Sequence, residues 1–318
     1  MALGLLMLAG CSSDEKEVDN GLQGLKPGDM IVSLEELTSD DEAEASTRSF
    51  MSRDMKTHLW VEDDEMRVYD PMMVRYDIYK FGYKDDSHQT GVFSRVMEES
   101  NYSEEPTFAF FANQDVEGGY FDRDKTTYEP FLSAKFYISA DMNGSQAMAF
   151  ATTQSGGTTL FSDWLPRWGQ VTKVEGGQAL HTSMKFLTGV LRLQLANTGG
   201  KADLLKVQML SGGTKALDIA GVFTTKLSIN SEIQENASLT QESYKRRSGG
   251  KDILVNLTGA SGSIVVYVPL VTTTVPVDIV CSASADGGTT WTEFKRFKNK
   301  TVTRGKVYGN AKEYNFAE

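Results

Sequence analysis

Cysteine is almost missing from this chain: two in 318 residues, Cys11 and Cys281. That excludes a disulfide-stapled scaffold and a cysteine-rich zinc site. Histidine is nearly as scarce. His58, His88 and His181 stand far from one another and from cysteine at metal-ligand spacing, so no metal and no cofactor are expected. HExxH, GxSxG and Walker patterns are absent, and Ser155-Gly156-Gly157 runs on into Thr158-Thr159 rather than Gly-Lys-Ser/Thr. Carboxylates are plentiful, but Asp63-Asp64-Glu65 and Asp85-Asp86 read as solvated turns rather than a glycoside-cleaving pair. No catalytic residue is assigned, and the protein is not expected to be an enzyme. Positive charge is also short: 32 Lys and Arg against 43 Asp and Glu, net −11. A nucleic-acid partner is excluded on that ground, because such affinity comes largely from neutralising phosphates. No apolar run after Gly10 approaches the roughly 20 residues of a membrane-spanning helix.

The apolar run that does exist is the first. Met1 to Gly10 carry no charge, are rich in Leu, and stop at Cys11. The stretch is too short to span a membrane and fits the apolar core of a secretion signal. No Lys or Arg precedes it, so the signal is expected to begin upstream of Met1. Leu8-Ala9-Gly10-Cys11 resembles the lipobox of bacterial lipoproteins, with small residues at the cut and Cys directly after it. The resemblance implies lipid on the sulfur and amine of Cys11, a site for outer-membrane lipid in which each buried CH₂ contributes ~0.8 kcal/mol. Asp14, Glu15 and Glu17 around Lys16 are similar to acidic export tags of surface lipoproteins of the Bacteroidetes; the plainer reading is a solvated tether. With Cys11 lipidated, Cys281 in "PVDIVCSAS" has no partner and reads as a small core residue.

Beyond residues 1–10 (signal) and 11–28 (tether), the pattern is β. "GDMIVSLEEL" alternates, with Met30, Val32 and Leu34 on one side and Ser33 and Glu35 on the other, which predicts a half-buried first strand over 29–38. Residues 38–56 follow as an acidic, Ser/Thr/Ala-rich loop unable to bury much surface. Then come "MRVYDPMMVRYDIYKFGY", "PTFAFFA", "KFYISADM" and "AMAFATT", short aromatic and β-branched runs split by turn clusters such as Glu117-Gly118-Gly119. Val92 to Ser100 carries a helical pattern. The Gly-rich, polar stretch around Gln170 to Gly177 suggests a division into residues 29–170 and 171–318. In the second part "HTSMKFLTGVLRLQLAN" has period two, predicting one central strand with Leu187, Leu191, Leu193 and Leu195 on one face and Arg192 and Gln194 on the other. "DLLKVQML", "SIVVYVPL" and "VPVDIVCSAS" are further strands. No short repeat is visible. The expected class is all-β, one sandwich in each part.

Two constellations carry function. Trp164 and Trp168 flank Pro166 and could stack sugar rings, as in a surface glycan-binding lipoprotein; the other reading buries them at a seam between sandwiches. The first strand is joined to the rest by a loop with Arg48 and Arg53. A cut after either severs anchor and strand together. It would leave an apolar groove with unpaired backbone groups, which a strand from another subunit can fill.

The lipobox, the early strand with its Arg-bearing loop, "LFSDWLPRWGQVTK" leading into "SMKFLTGVLRLQLAN", and the closing "FKNKTVTRGKVYGNAKEYNF" together resemble the fimbrillin family, the lipoprotein pilins and pilin-like proteins of Bacteroidales (type V pili). The resemblance covers most of the chain. It implies two tandem transthyretin-like β-sandwiches, a lipidated precursor exposed at the outer membrane, and other pilin subunits as partners. It also implies Arg-specific removal of the first strand, with Arg48 in "ASTRSF" closest to such a cut site and Arg53 second. Anchor members keep their first strand and lipid, and tip members cap the fibre.

Overall fold

In a computed structural model the chain is all-β. The structure describes residues 25–35, 38–39, 65–69, 76–82, 91–96, 108–111, 120–123, 125–126, 130–142, 166–174, 179–228, 240–242, 250–309 and 313–315.

Seven strands close into a ring. They are β1 (Met30–Leu34), β3 (Glu65–Tyr69), β4 (Tyr76–Gly82), β5 (Gly91–Arg95), β6 (Phe108–Phe111), β10 (Arg167–Lys173) and β11 (Leu180–Phe186), in the order β1-β11-β10-β6-β3-β4-β5 and back to β1. Alternation fills the interior: Met30 and Val32 meet Met66, Val68, Phe93 and Met184, all fully buried. Closure leaves no sheet edge among the described strands of the ring. The helical pattern over Val92 to Ser100 is overturned in its described part, residues 92–96. Gly91–Arg95 is a strand paired with both β4 and β1, and ladder bonds on two sides outweigh a weak local preference.

Three further sheets hold the rest. In the first, β12 (Gly189–Asn197) lies between β18 (Gly262–Leu270) and β21 (Lys306–Tyr308), with β2 (Thr38–Ser39) outside β21 and β22 (Glu313–Asn315) also on β12. In the second the order is β20 (Thr292–Lys300), β19 (Val277–Ser284), β13 (Leu204–Ser211), β17 (Asp252–Asn256) and β9 (Asp141–Met142), with β14 (Lys215–Ala216) on β13. The third runs β16 (Thr240–Glu242), β15 (Gly221–Ser228), β8 (Pro130–Ile138), β7 (Tyr120–Arg123). Leu191, Leu193 and Leu195 of β12 share one apolar core with Val207 and Met209 of β13 and Ile279 of β19. Cys281 is in it too, a free thiol whose pKa burial pushes up. Asn197 is the polar knot at its rim. Its amide donates to the carbonyls of Ala202 (2.9 Å) and Ala260 (2.8 Å) and accepts the Ala202 N–H (2.9 Å).

One sequence expectation changes. The run "HTSMKFLTGVLRLQLAN" is two strands, not one: β11 belongs to the ring and β12 to the next sheet, with the break at Leu187-Thr188. Gly189 starts β12 because nothing larger fits; a Cβ there would stand 2.8 Å from Val302 Cγ1 and 3.0 Å from the Thr303 carbonyl. Arg192, expected on the face away from the Leu side chains, is 6% exposed and sits opposite Tyr267, also buried, whose pKa burial raises to about 12. The division expected at 170/171 falls within β10. Strands before and after it pair directly, β8 with β15 and β9 with β17.

Candidate strand-exchange site

The element closest to the chain's N-terminal end among the described strands is also hydrogen-bonded on both sides. β1 runs parallel to β11, with Met30 opposite Leu180, Val32 opposite Thr182 and Leu34 opposite Met184, and antiparallel to β5, with Met30 opposite Phe93. Every other neighbouring pair in the ring is antiparallel. Because side chains alternate, Met30 and Val32 (each 0% exposed) point into the ring, while Ile31 (5%) lies on its outer face beside His181 and Val92. Full burial of these three side chains is worth about 5 kcal/mol in all. Removal of β1 would uncover Phe93, Leu180 and Met184 and strip ladder partners from two strands at once. Such a slot takes a replacement strand.

Local sequence sets the entry to β1. Lys26-Pro27-Gly28-Asp29 is a tight turn closed by the Asp29 N–H on the Lys26 carbonyl (3.0 Å). Pro27 suits its second position, and Gly28 takes φ 84° at its third, as a type II turn requires. The Asp29 carboxylate is buried (4% exposed) and accepts the Lys26 N–H at 2.7 Å and the Ser94 hydroxyl of β5 at 2.9 Å. Its carbonyl accepts the Leu180 N–H (2.9 Å). At the far end the Glu35 N–H donates to the Met184 carbonyl (2.8 Å). The chain then reaches the sheet of β12 and β18: β2 pairs parallel to β21, and the Thr38 N–H donates to the Gly305 carbonyl (2.9 Å). His181, half buried beside Ile31, has its pKa lowered by that burial.

Of the residues singled out in the sequence, Cys11, Arg48, Arg53 and Trp164 lie outside the described residues. Trp168 is described and corrects the sugar-stacking reading at that position. It is 3% exposed on β10, its ring 5.5 Å from that of Phe108, and offers no open face. Asp29 and Ser94 were not anticipated, although the turn pattern Lys-Pro-Gly-Asp ahead of an alternating run was the available signal. Among the described residues no group of His, Cys, Asp and Glu could hold a metal ion.

No family model and no curated protein sequence matches the chain. Solved structures similar to this chain match it at low identity. One is a Bacteroides ovatus chain whose proposed role is cell adhesion (14% identity, 91% of each chain, TM-score 0.42). A second is a fimbrial protein of Bacteroides ovatus (5% identity, 92% of this chain but 49% of that one, TM-score 0.36). A third is the fimbrial anchor protein Mfa2 of Porphyromonas gingivalis (9% identity, 86% of this chain and 82% of that one, TM-score 0.30).

Proposed function

We propose that this protein is a non-enzymatic subunit or accessory adhesin of a cell-surface fimbria, exported as a lipoprotein through Cys11 and assembled by β-strand exchange. The observation that carries the proposal is the position of β1: an N-terminal strand bonded on both edges, with its apolar face inside the ring. Between β1 and β3 the chain has 30 residues, 35–64, including Arg48 and Arg53. A cut after either separates β1 and β2 from the remaining chain without breaking any described strand. The vacated slot then accepts a strand from a neighbouring subunit. On this reading the partners are other pilin subunits and, for the uncut form, outer-membrane lipid. The tandem transthyretin-like arrangement belongs to the same proposal.

Replacement of Arg48 and Arg53 together by Ala tests it on cells. Loss of surface fibres with retention of the full-length, lipid-bound chain is the expected result. Unchanged fibres and unchanged subunit size would remove the cleavage-driven version.

A further inference from the structure

We propose that the β1 slot is selective. It accepts strands that carry a hydrogen-bond acceptor side chain immediately before their first inward-facing apolar residue, and Ser94 of β5 is the residue that reads it. The proposal rests on the strand-exchange reading above and adds a rule for which strands fit.

The geometry is that of Asp29 and Met30. Met30 is the first side chain of β1 inside the ring. Asp29, one residue earlier, places a carboxylate oxygen 2.9 Å from the Ser94 hydroxyl in a position only 4% exposed. A strand laid parallel to β11 in the same register must put its own side chain there. With an acceptor, the Ser94 hydroxyl keeps a partner. With an apolar side chain, the half-buried Ser94 hydroxyl loses this protein partner and the strand loses the net gain of that hydrogen bond. The Lys26 N–H also binds this carboxylate (2.7 Å), but it belongs to the turn leading into β1 and would depart with it. Ser94 sits on β5 and stays. It is therefore the group an incoming strand meets. The apolar positions after it, Met30 and Val32, set size rather than polarity.

The test varies the strand in place, in the full chain, by following amide hydrogen exchange of Ile31 to Leu34. Asp29→Asn keeps an acceptor and is expected within about twofold of the parent rate, whereas Asp29→Ala should speed exchange about tenfold. In a Ser94→Ala background Asp29→Ala should add only about threefold, because the Ser94 share is already gone and contacts such as the Lys26 N–H bond (2.7 Å) remain to be lost. Equal acceleration in both backgrounds, or none in either, overturns the proposal. Exchange in β13 and β19 reports the rest of the fold. Should Asp29→Ala loosen those strands equally, Ser94→Ala alone decides, with faster exchange confined to β1 supporting the proposal and an unchanged rate overturning it. Fibres play no part in this readout. Unchanged fibres in the Arg48/Arg53 variant would remove the cleavage-driven version without altering this readout, and a flat exchange pattern here would overturn the selectivity alone.

Discussion

Met30 stands opposite Leu180 in a parallel ladder, although the two are far apart in sequence and the chain between them builds most of the ring. Met30 is fully buried there. Met30→Ala should therefore lower unfolding stability by about 2–4 kcal/mol, the cost of a core truncation with incomplete collapse. Chemical denaturation of the purified chain measures it. A change under about 0.5 kcal/mol, typical of surface sites, would mean that β1 does not fill the ring.

Asn197 is predicted to matter as much without touching β1. Its side chain makes three hydrogen bonds to the backbone of Ala202 and Ala260. Asn197→Ala leaves buried backbone groups unpaired and should cost about 3 kcal/mol. Asn197→Asp, which cannot donate, should not rescue it. Urea midpoints of the two variants decide, and a neutral Asp variant would contradict the assignment.

Acid should weaken the molecule in two separate windows. His181 prefers its neutral form in the fold, because burial lowers its pKa from the ordinary 6.5. Its contribution is complete above that value and is lost as pH falls below it. Asp286 is held down to about 2 by the Thr290 N–H (2.9 Å), the Thr290 hydroxyl (2.7 Å) and the Ser284 hydroxyl (2.8 Å). Its contribution is complete above the ordinary carboxylate value of about 4 and fades as pH approaches 2. Thermal midpoints should fall more steeply between pH 7 and 5 in the parent than in His181→Gln. The gap between parent and Asp286→Asn should narrow between about pH 4 and pH 2. Parallel curves would contradict either assignment.

Cys281 is predicted to be inert. Its thiol is fully buried and its pKa is raised by that burial, so little nucleophilic thiolate forms at neutral pH. In a Cys11→Ser variant, a thiol-reactive dye at pH 8 should label nothing until denaturant is added, and then one equivalent per chain.

The first strand was legible from residues alone because Met30 and Val32 share one side and Ser33 and Glu35 the other, although Ile31 on that second side is buried as well. Its partners were not. Pairing of β1 with β11 joins segments separated by some 150 residues of chain, as Ser33 and Thr182 illustrate at a separation of 149, and local pattern carries no such information. The division of one Leu-rich run into β11 and β12 was hidden for a related reason. Leu187, Val190 and Leu191 are buried on both sides of the break, so periodicity continues through it, and the crowding of Gly189 by Val302 is visible only once the chain is folded. The burial of Arg192 was not legible, because a charged residue in an alternating strand ordinarily faces water, whereas here it is buried and lies opposite Tyr267. The Ser94 contact to Asp29 depends on ring closure and could not be read from either segment by itself.

The most direct test of the central claim uses the purified full-length chain and an Arg-specific protease. If β1 fills an exchangeable slot, the cut chain should lose the fragment containing Met30 to Leu34 and assemble into species many subunits long. An added peptide with the sequence of β1 should block that growth. A trimmed chain that has shed the fragment, yet stays compact, monomeric and unresponsive to the peptide, would contradict the account.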